Sequence, residues 1–206
     1  MNLSDFIYIK ENAFDYAFCN ELIQLHLANS SNVIEGQVGP NLVDYNFKKS
    51  LDYDLARDKG HYVKYGSLIV DTIGKVFEEY SDSLPHQSEF QTKIEFFAKN
   101  KQQIPTFQIQ KYNKGDGHFN GWHYENASLR SSLRTFVFII YLNEVNEGGE
   151  TEILFSNQKI KPKVGTVLIH PAFYPFVHRG NMPISNDKYI LTGWLEYTTL
   201  NPHNLQ

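Results

Sequence analysis

The spacing of apolar residues in the first half of the chain predicts a mainly helical region. Apolar side chains recur at helical intervals in two stretches, which predicts helices over residues 14–29 and 61–80. A short strand is predicted at Phe6–Ile9 and a further short helix over 88–99. Residues 30–59 are polar and contain glycine and proline, a composition typical of a long loop or flap.

From residue 104 onward the pattern changes to a period of two, which is typical of β-strands. Short runs of this kind, separated by turns rich in Gly and Pro, predict a β-sandwich or jelly roll. We therefore expect one mainly β, α+β domain over 1–206, with a helical cover and flap over 1–100 and a core over 104–198. The predicted strands are Phe107–Tyr112, Thr135–Leu142, Thr151–Phe155, Thr166–His170, Tyr174–His178 and Lys188–Tyr197.

Composition narrows the classes of protein. Aromatic residues make up 15% of the 206 positions, which favours a packed β-rich core over disorder. The formal net charge of −4 argues against nucleic acid as a partner. Cys19 is the lone cysteine, which excludes an intramolecular disulfide and a CxxC metal site. No apolar run approaches the roughly 20 residues of a membrane span, and no signal peptide is visible, so we expect a cytoplasmic protein without a membrane partner.

Three residues form a candidate metal site. Residues i and i+2 of a strand point to the same face, so His123 and Glu125 should project together, and His178 supplies a second imidazole. Two imidazoles and one carboxylate are the ligands of non-heme Fe(II) sites that keep positions open. An HxE pair also arises by chance, and a partly exposed strand pair is the alternative on this pair alone.

Lys188 opens an apolar run and needs a partner if it is buried, because an unpaired buried ammonium is costly. A dicarboxylate co-substrate would supply that partner. The alternative is a lysine at the exposed edge of the strand.

Several short motifs follow one another in a recognisable order. They are Gln110–Tyr112 with Gly115 and Gly117, Trp122–Glu125, Arg134–Thr135, Tyr141–Asn143, Glu147–Thr151, Pro162–Gly165, His178–Gly180, and Lys188–Tyr189 with Trp194. In this order and spacing the chain resembles the 2-oxoglutarate- and Fe(II)-dependent dioxygenases, specifically their prolyl 4-hydroxylase-like group. The resemblance implies a double-stranded β-helix, a cupin-like jelly roll, with the N-terminal helices packed on one sheet.

The resemblance also implies roles for individual residues. His123, Glu125 and His178 stand where the family places its metal ligands, although the family pattern is usually HxD. The residues at the positions that contact the co-substrate in this family are Lys188, Tyr112, Tyr141 and Thr192. For Tyr112 and Tyr141, core packing with a hydrogen-bonded hydroxyl is an equal alternative. The candidate substrate contacts are Arg130, Arg179 and Trp194, for which a solvated charge or a pocket wall is the alternative.

The implied activity is hydroxylation of a C–H bond coupled to decarboxylation of 2-oxoglutarate to succinate and CO₂. Fe(II), 2-oxoglutarate and O₂ are the implied cofactor and co-substrates, with ascorbate as an accessory candidate. A peptidyl proline is the expected substrate, within the wider class of peptides, proteins and small molecules. A cupin-like metalloenzyme that does not use 2-oxoglutarate and a binding module with a degenerate site remain the alternatives. His118 and His170 are expected to be pocket or surface residues rather than ligands.

Overall fold

The computed structural model describes residues 2–39, 41–55, 57–84 and 102–198. Within these ranges the chain forms helices α1 (Tyr16–Ala28) and α2 (Lys59–Ser83) and twelve strands, with short 3-10 turns between them. The short helix predicted over 88–99 lies outside the described residues. The strands are β1 (Tyr8–Lys10), β2 (Ile34–Glu35), β3 (Leu51–Asp54), β4 (Gln102–Gln103), β5 (Phe107–Tyr112), β6 (Phe119–His123), β7 (Arg134–Tyr141), β8 (Thr151–Ile153), β9 (Gln158–Ile160), β10 (Val167–Pro171), β11 (His178–Gly180) and β12 (Lys188–Tyr197).

Both predicted long helices are present, and each begins at an aspartate cap. The Asp15 carboxylate accepts the Phe18 N–H at 2.7 Å, and the Asp58 carboxylate accepts the N–H groups of the first turn of α2. Each helix buries one apolar stripe against the same face of a large sheet. Leu68, an apolar residue of α2, lies outside this stripe and is half exposed. No helix among the described residues has both the length and the apolar character needed to cross a bilayer.

The strands form two antiparallel sheets. The large sheet has the order β1-β10-β7-β12-β5-β3-β2, with β4 paired to the end of β12. The small sheet has the order β6-β11-β8-β9. This arrangement confirms the predicted α+β, mainly β fold, in which two antiparallel sheets enclose one interior and helices cover the outside of one sheet.

Alternation along the central strands separates two layers of the core. On β7, Phe136, Phe138 and Ile140 pack under the helices, whereas Val137, Ile139 and Tyr141 point toward the small sheet. Strands β5, β10 and β12 alternate in the same way. The side chains of the candidate site lie in this second layer, between the two sheets.

Three predicted strands differ in detail from the structure. The first strand is Tyr8–Lys10, preceded by a 3-10 turn, and β8 ends at Ile153. The segment predicted as a strand at Tyr174–His178 is a turn up to residue 177, because the Phe176 N–H bends back to the Phe173 carbonyl at 2.9 Å.

The predicted flap over 30–59 contains two strands of the large sheet, β2 and β3. Strand β3 alternates between apolar residues such as Tyr53 and aspartates whose side chains point to the other face. The aspartates gave the segment its polar, loop-like composition. The alternation itself, visible from Leu51 to Leu55, was the signal for a strand.

Candidate metal and co-substrate site

Two histidines and a glutamate meet at one end of the small sheet. His123 is the last residue of β6 and is the direct register partner of His178, the first residue of β11. Glu125 lies in the turn after β6, so the expectation that it shares a strand with His123 is wrong. The Glu125 N–H donates to the Ala172 carbonyl at 2.8 Å, which fixes the turn so that the carboxylate still reaches both imidazoles.

The three side chains present an arrangement that suits a cation. Oε1 of Glu125 lies 3.6 Å from Nε2 of His123 and 3.5 Å from Nε2 of His178, too far for strong hydrogen bonds. The Nδ1–H groups of His123 and His178 donate to the carbonyls of Gly121 at 2.8 Å and Phe176 at 3.1 Å, which leaves each Nε2 as a lone pair. Three acceptors facing one another repel unless a cation lies between them, so this donor set fits Fe(II).

The electrostatics of the site support the same protonation states. Burial lowers the pKa of His123, and the neighbouring His178 lowers it further, so the His123 ring is neutral near pH 7. Burial alone would raise the pKa of Glu125, but hydrogen bonds and positive charge from the rings of His123 and His178, when these carry a proton on Nε2, outweigh burial and hold that pKa well below its usual range. The carboxylate is therefore ionised and attracts a cation between itself and the two rings. A neutral imidazole and an ionised carboxylate are the forms that ligate a metal.

The second oxygen of Glu125 has partners of its own. Nε1–H of Trp194 donates to Oε2 at 2.8 Å, and Nη1 of Arg134 donates to the same oxygen at 3.2 Å. The Arg134 guanidinium also stacks 3.6 Å from the centre of the Trp194 ring. The sequence predicts Trp194 as a substrate contact or pocket wall and gives Arg134 no individual role, so it does not predict that both residues contact the carboxylate of Glu125.

Residues of the predicted flap, together with Phe119 of β6, form a wall of the site. Phe119 stacks on the His123 ring at 3.8 Å, and the Phe47 ring lies 6.2 Å from it. Gly121 allows this packing, because a Cβ there would overlap the Phe47 ring. The Lys48 ammonium lies 5.3 Å from the Phe119 ring centre and pairs with the buried Asp52 at 2.7 Å. The predicted flap therefore packs against the side of the site that contains His123.

Lys188 is buried at the start of β12, with 3% of its surface exposed. Its ammonium donates to the Gly149 carbonyl at 2.7 Å and lies 5.5 and 5.8 Å from the ring centres of Tyr112 and Tyr141. Gly149 has φ +73°, a conformation that a residue with a side chain rarely adopts. Burial lowers the pKa of Lys188 to about 8, and the nearby Glu150 opposes that shift. The lysine keeps hydrogen-bonding capacity for an anion, because an ammonium has three donors.

The other hydroxyls expected near the co-substrate already have acceptors in this structure. The Tyr112 hydroxyl donates to Oε1 of Gln110 at 2.7 Å, and the Tyr141 hydroxyl donates to Thr151 at 2.8 Å. The Thr192 hydroxyl donates to the Phe138 carbonyl at 2.9 Å. Burial raises the pKa of both tyrosines, so the phenols stay protonated. All three residues face the same interior as Lys188, and their role toward a co-substrate stays a prediction.

The structure separates the remaining candidates. Arg179 lies on the outer face of the small sheet, where its guanidinium forms an ion pair with Glu152 at 2.5 Å and stacks 4.4 Å from the Trp122 ring. Arg130 is exposed in a 3-10 turn. His118 is partly buried and bridges β6 to the flap through its backbone.

His170 is fully buried, and its ring lies 4.7 Å from that of His178. It is therefore an interior neighbour of the candidate metal site and not a surface residue. Burial lowers the pKa of His170 to about 3, and the neighbouring His178 contributes to the same shift. The compact group of possible ligands among the described residues comprises His123, Glu125 and His178, without His170.

Comparison with known families agrees with this geometry. Residues 107–196, which contain the three clustered residues and Lys188, match the family profile of the 2OG-Fe(II) oxygenase superfamily. Residues 107–196 belong to this superfamily. The chain is also 25% identical over 124 residues to prolyl 4-hydroxylase 13 of Arabidopsis thaliana, an alignment that covers 48% of this chain and 45% of that relative. The chain thus spans under half of the length of this relative.

Solved structures extend the likeness to nearly the whole chain. A viral collagen prolyl hydroxylase from Paramecium Bursaria Chlorella virus-1, in its 2OG complex, superposes with a TM-score of 0.64 at 18% identity, covering 94% of this chain and 97% of that one. A Trichoplax adhaerens prolyl hydroxylase, in complex with a hypoxia inducible factor peptide fragment, gives 0.69 at 17% identity, covering 94% and 84%. At these identities the structures show a shared fold.

Proposed function

We propose that this chain is a 2-oxoglutarate-dependent oxygenase whose Fe(II) is held by His123, Glu125 and His178. One observation carries the proposal: the Nε2 atoms of His123 and His178 both lie within 3.6 Å of Oε1 of Glu125. Bound there, Fe(II) would supply the O₂ activation that hydroxylation requires. The superfamily membership of residues 107–196 supports this chemistry.

The protein's own residues would bind and orient the reactants. Lys188 would pair with the far carboxylate of 2-oxoglutarate, a partner that a desolvated ammonium needs. Tyr112, Tyr141 and Thr192 would line the same co-substrate pocket. Phe47 and Phe119 would keep water from the imidazole of His123.

The proposed substrate is a peptidyl proline. Support comes from two kinds of relative: a prolyl 4-hydroxylase of related sequence, and a prolyl hydroxylase of similar fold whose structure holds a peptide. Arg130 is exposed and follows Glu125 closely in the sequence, and it is the proposed contact for polar groups of the peptide. Arg179 and Trp194 are weaker candidates for this role, because Glu152 and Glu125 already engage them.

A reducing compartment such as the cytoplasm, and ascorbate as an accessory reductant, complete the proposal. The buried, unpaired Cys19 is consistent with reducing conditions.

The test is to incubate the Fe(II)-loaded chain with 2-oxoglutarate and a panel of proline-rich peptides. We expect succinate to form and a peptide to gain about 16 Da, one oxygen atom, in the product expected of this class. A panel of free amino acids is the matched control for the peptide assignment. Metal binding without consumption of 2-oxoglutarate would favour a cupin-like enzyme, and absence of metal binding would favour a degenerate module.

The affinity for 2-oxoglutarate should depend on pH through Lys188. Its pKa of about 8 in the free site means that the ammonium is present below pH 8 and is lost above it. Binding of the dicarboxylate needs the ammonium, so affinity should be constant below pH 8 and fall by up to about tenfold per pH unit above it. Calorimetric titration of the Mn(II)-loaded chain from pH 6.5 to 9 measures this dependence.

The control for this titration is Lys188→Arg, because a guanidinium stays protonated throughout the range. The quantity to compare between the two proteins is the slope of the affinity with pH, because the larger guanidinium also changes the affinity at every pH. A slope in the arginine variant equal to that of the unaltered chain would contradict the role of Lys188.

A further inference from the structure

The carboxylate of Glu125 is held differently at its two oxygens. Oε1 faces the two imidazoles, whereas Oε2 accepts hydrogen bonds from Trp194 at 2.8 Å and Arg134 at 3.2 Å. The Arg134 guanidinium lies against the Trp194 ring and 3.6 Å from the carboxylate of Glu196. The two donors therefore support each other as well as the ligand.

We propose that Arg134 and Trp194 are positioning residues that reserve Oε2 of Glu125, so that the carboxylate ligates the metal through Oε1 alone. This inference rests on the proposed function, because it assumes the metal site. It explains how the longer glutamate can serve at a position where the chain departs from the HxD pattern.

Arg134 and Trp194, which together form a clamp on Oε2 of Glu125, would keep a coordination position of the metal open. A six-coordinate metal with three protein ligands keeps three positions open for a two-point co-substrate and O₂. A carboxylate that used both oxygens would take one of those positions. Glutamate has one more rotatable bond than aspartate, so its second oxygen needs a fixed partner more than a shorter carboxylate does.

The surroundings make these hydrogen bonds stronger than a surface ion pair. The side chain of Glu125 is 14% exposed and that of Arg134 is 24% exposed, so solvent screens them only in part. The donors also act on a charged acceptor, which shortens and strengthens a hydrogen bond.

The experiment is a double-mutant cycle on the full chain, read out as the dissociation constant for Mn(II). Trp194→Phe removes the N–H donor and keeps an aromatic ring. In the glutamate background it should weaken Mn(II) binding by about 10- to 100-fold, as the loss of a partner behind a metal ligand typically does. In the Glu125→Asp background, whose carboxylate is too short to span both the metal and the clamp, the same change should have an effect within about twofold.

Trp122→Phe is the matched control, because Trp122 also stacks with an arginine but lies on the outer face of the small sheet. It should leave Mn(II) affinity unchanged. Arg134→Gln is the second variant and should repeat the dependence on background, and thermal unfolding checks that each variant is folded. Equal losses in both backgrounds, or no loss in either, overturn the clamp. Failure of the unaltered chain to bind Mn(II) overturns the proposed function itself.

Discussion

Replacing Lys188 with alanine should raise the 2-oxoglutarate concentration needed for half-saturation by about 30-fold to several thousand-fold, the range that a lost desolvated charge pair of 2–5 kcal/mol implies. The ammonium is buried and hydrogen-bonded to the Gly149 carbonyl, so solvent does not compensate a carboxylate for the loss of this charge. Titration of the Mn(II)-loaded variant with 2-oxoglutarate measures the change. Mn(II) affinity without co-substrate should stay near that of the unaltered chain.

Two further variants separate this effect from damage to the fold. Lys188→Met keeps the length of the side chain and removes a buried charge, which offsets the lost hydrogen bond to the Gly149 carbonyl, so the unfolding temperature should change little. Lys111→Met is the matched control, because Lys111 is the register neighbour of Tyr189 on the other face of the sheet and pairs with Asp187. An unchanged 2-oxoglutarate affinity in both Lys188 variants would remove Lys188 from the site.

The parts of the fold that could be predicted from the sequence are those in which one simple period governs a long segment. Apolar spacing alone locates helix α2, which buries one face. It also locates strands β5, β7 and β12, whose side chains are buried on one face or on both. Strand β11 could not be located in this way, because its inward side chain is the polar His178, which faces the candidate site. Strand β3 does alternate, but aspartates such as Asp52 occupy its second face, so its composition resembles that of a loop.

The candidate site divides in a similar manner. His123 and Glu125 are close in the chain, so the spacing of their side chains was informative even though the strand ends between them. The clamp joins Glu125 to Trp194 across 69 positions, and the wall formed by Phe47 joins two distant segments. Contacts of this kind depend on sheet order and register, which local patterns do not encode.

Replacing His178 with alanine should abolish stoichiometric Mn(II) binding. The imidazole offers one of the three converging ligand atoms, and its Nδ1–H is committed to the Phe176 carbonyl. Because removal of a residue behind a ligand already costs about 10- to 100-fold in affinity, loss of the ligand itself should exceed that range. Electron paramagnetic resonance of free Mn(II) measures the bound fraction directly.

The matched control is His170→Phe, which replaces another buried imidazole 4.7 Å from the ring of His178. His170 donates from Nδ1 to the Pro171 carbonyl, and its Nε2 is buried without a hydrogen-bond partner. Phenylalanine keeps an aromatic ring beside Phe176 and removes that unsatisfied atom, so the variant should stay folded and bind Mn(II) normally. Loss of Mn(II) binding in His170→Phe, with retention in His178→Ala, would transfer the ligand role to His170 and refute the triad argued from Oε1 of Glu125.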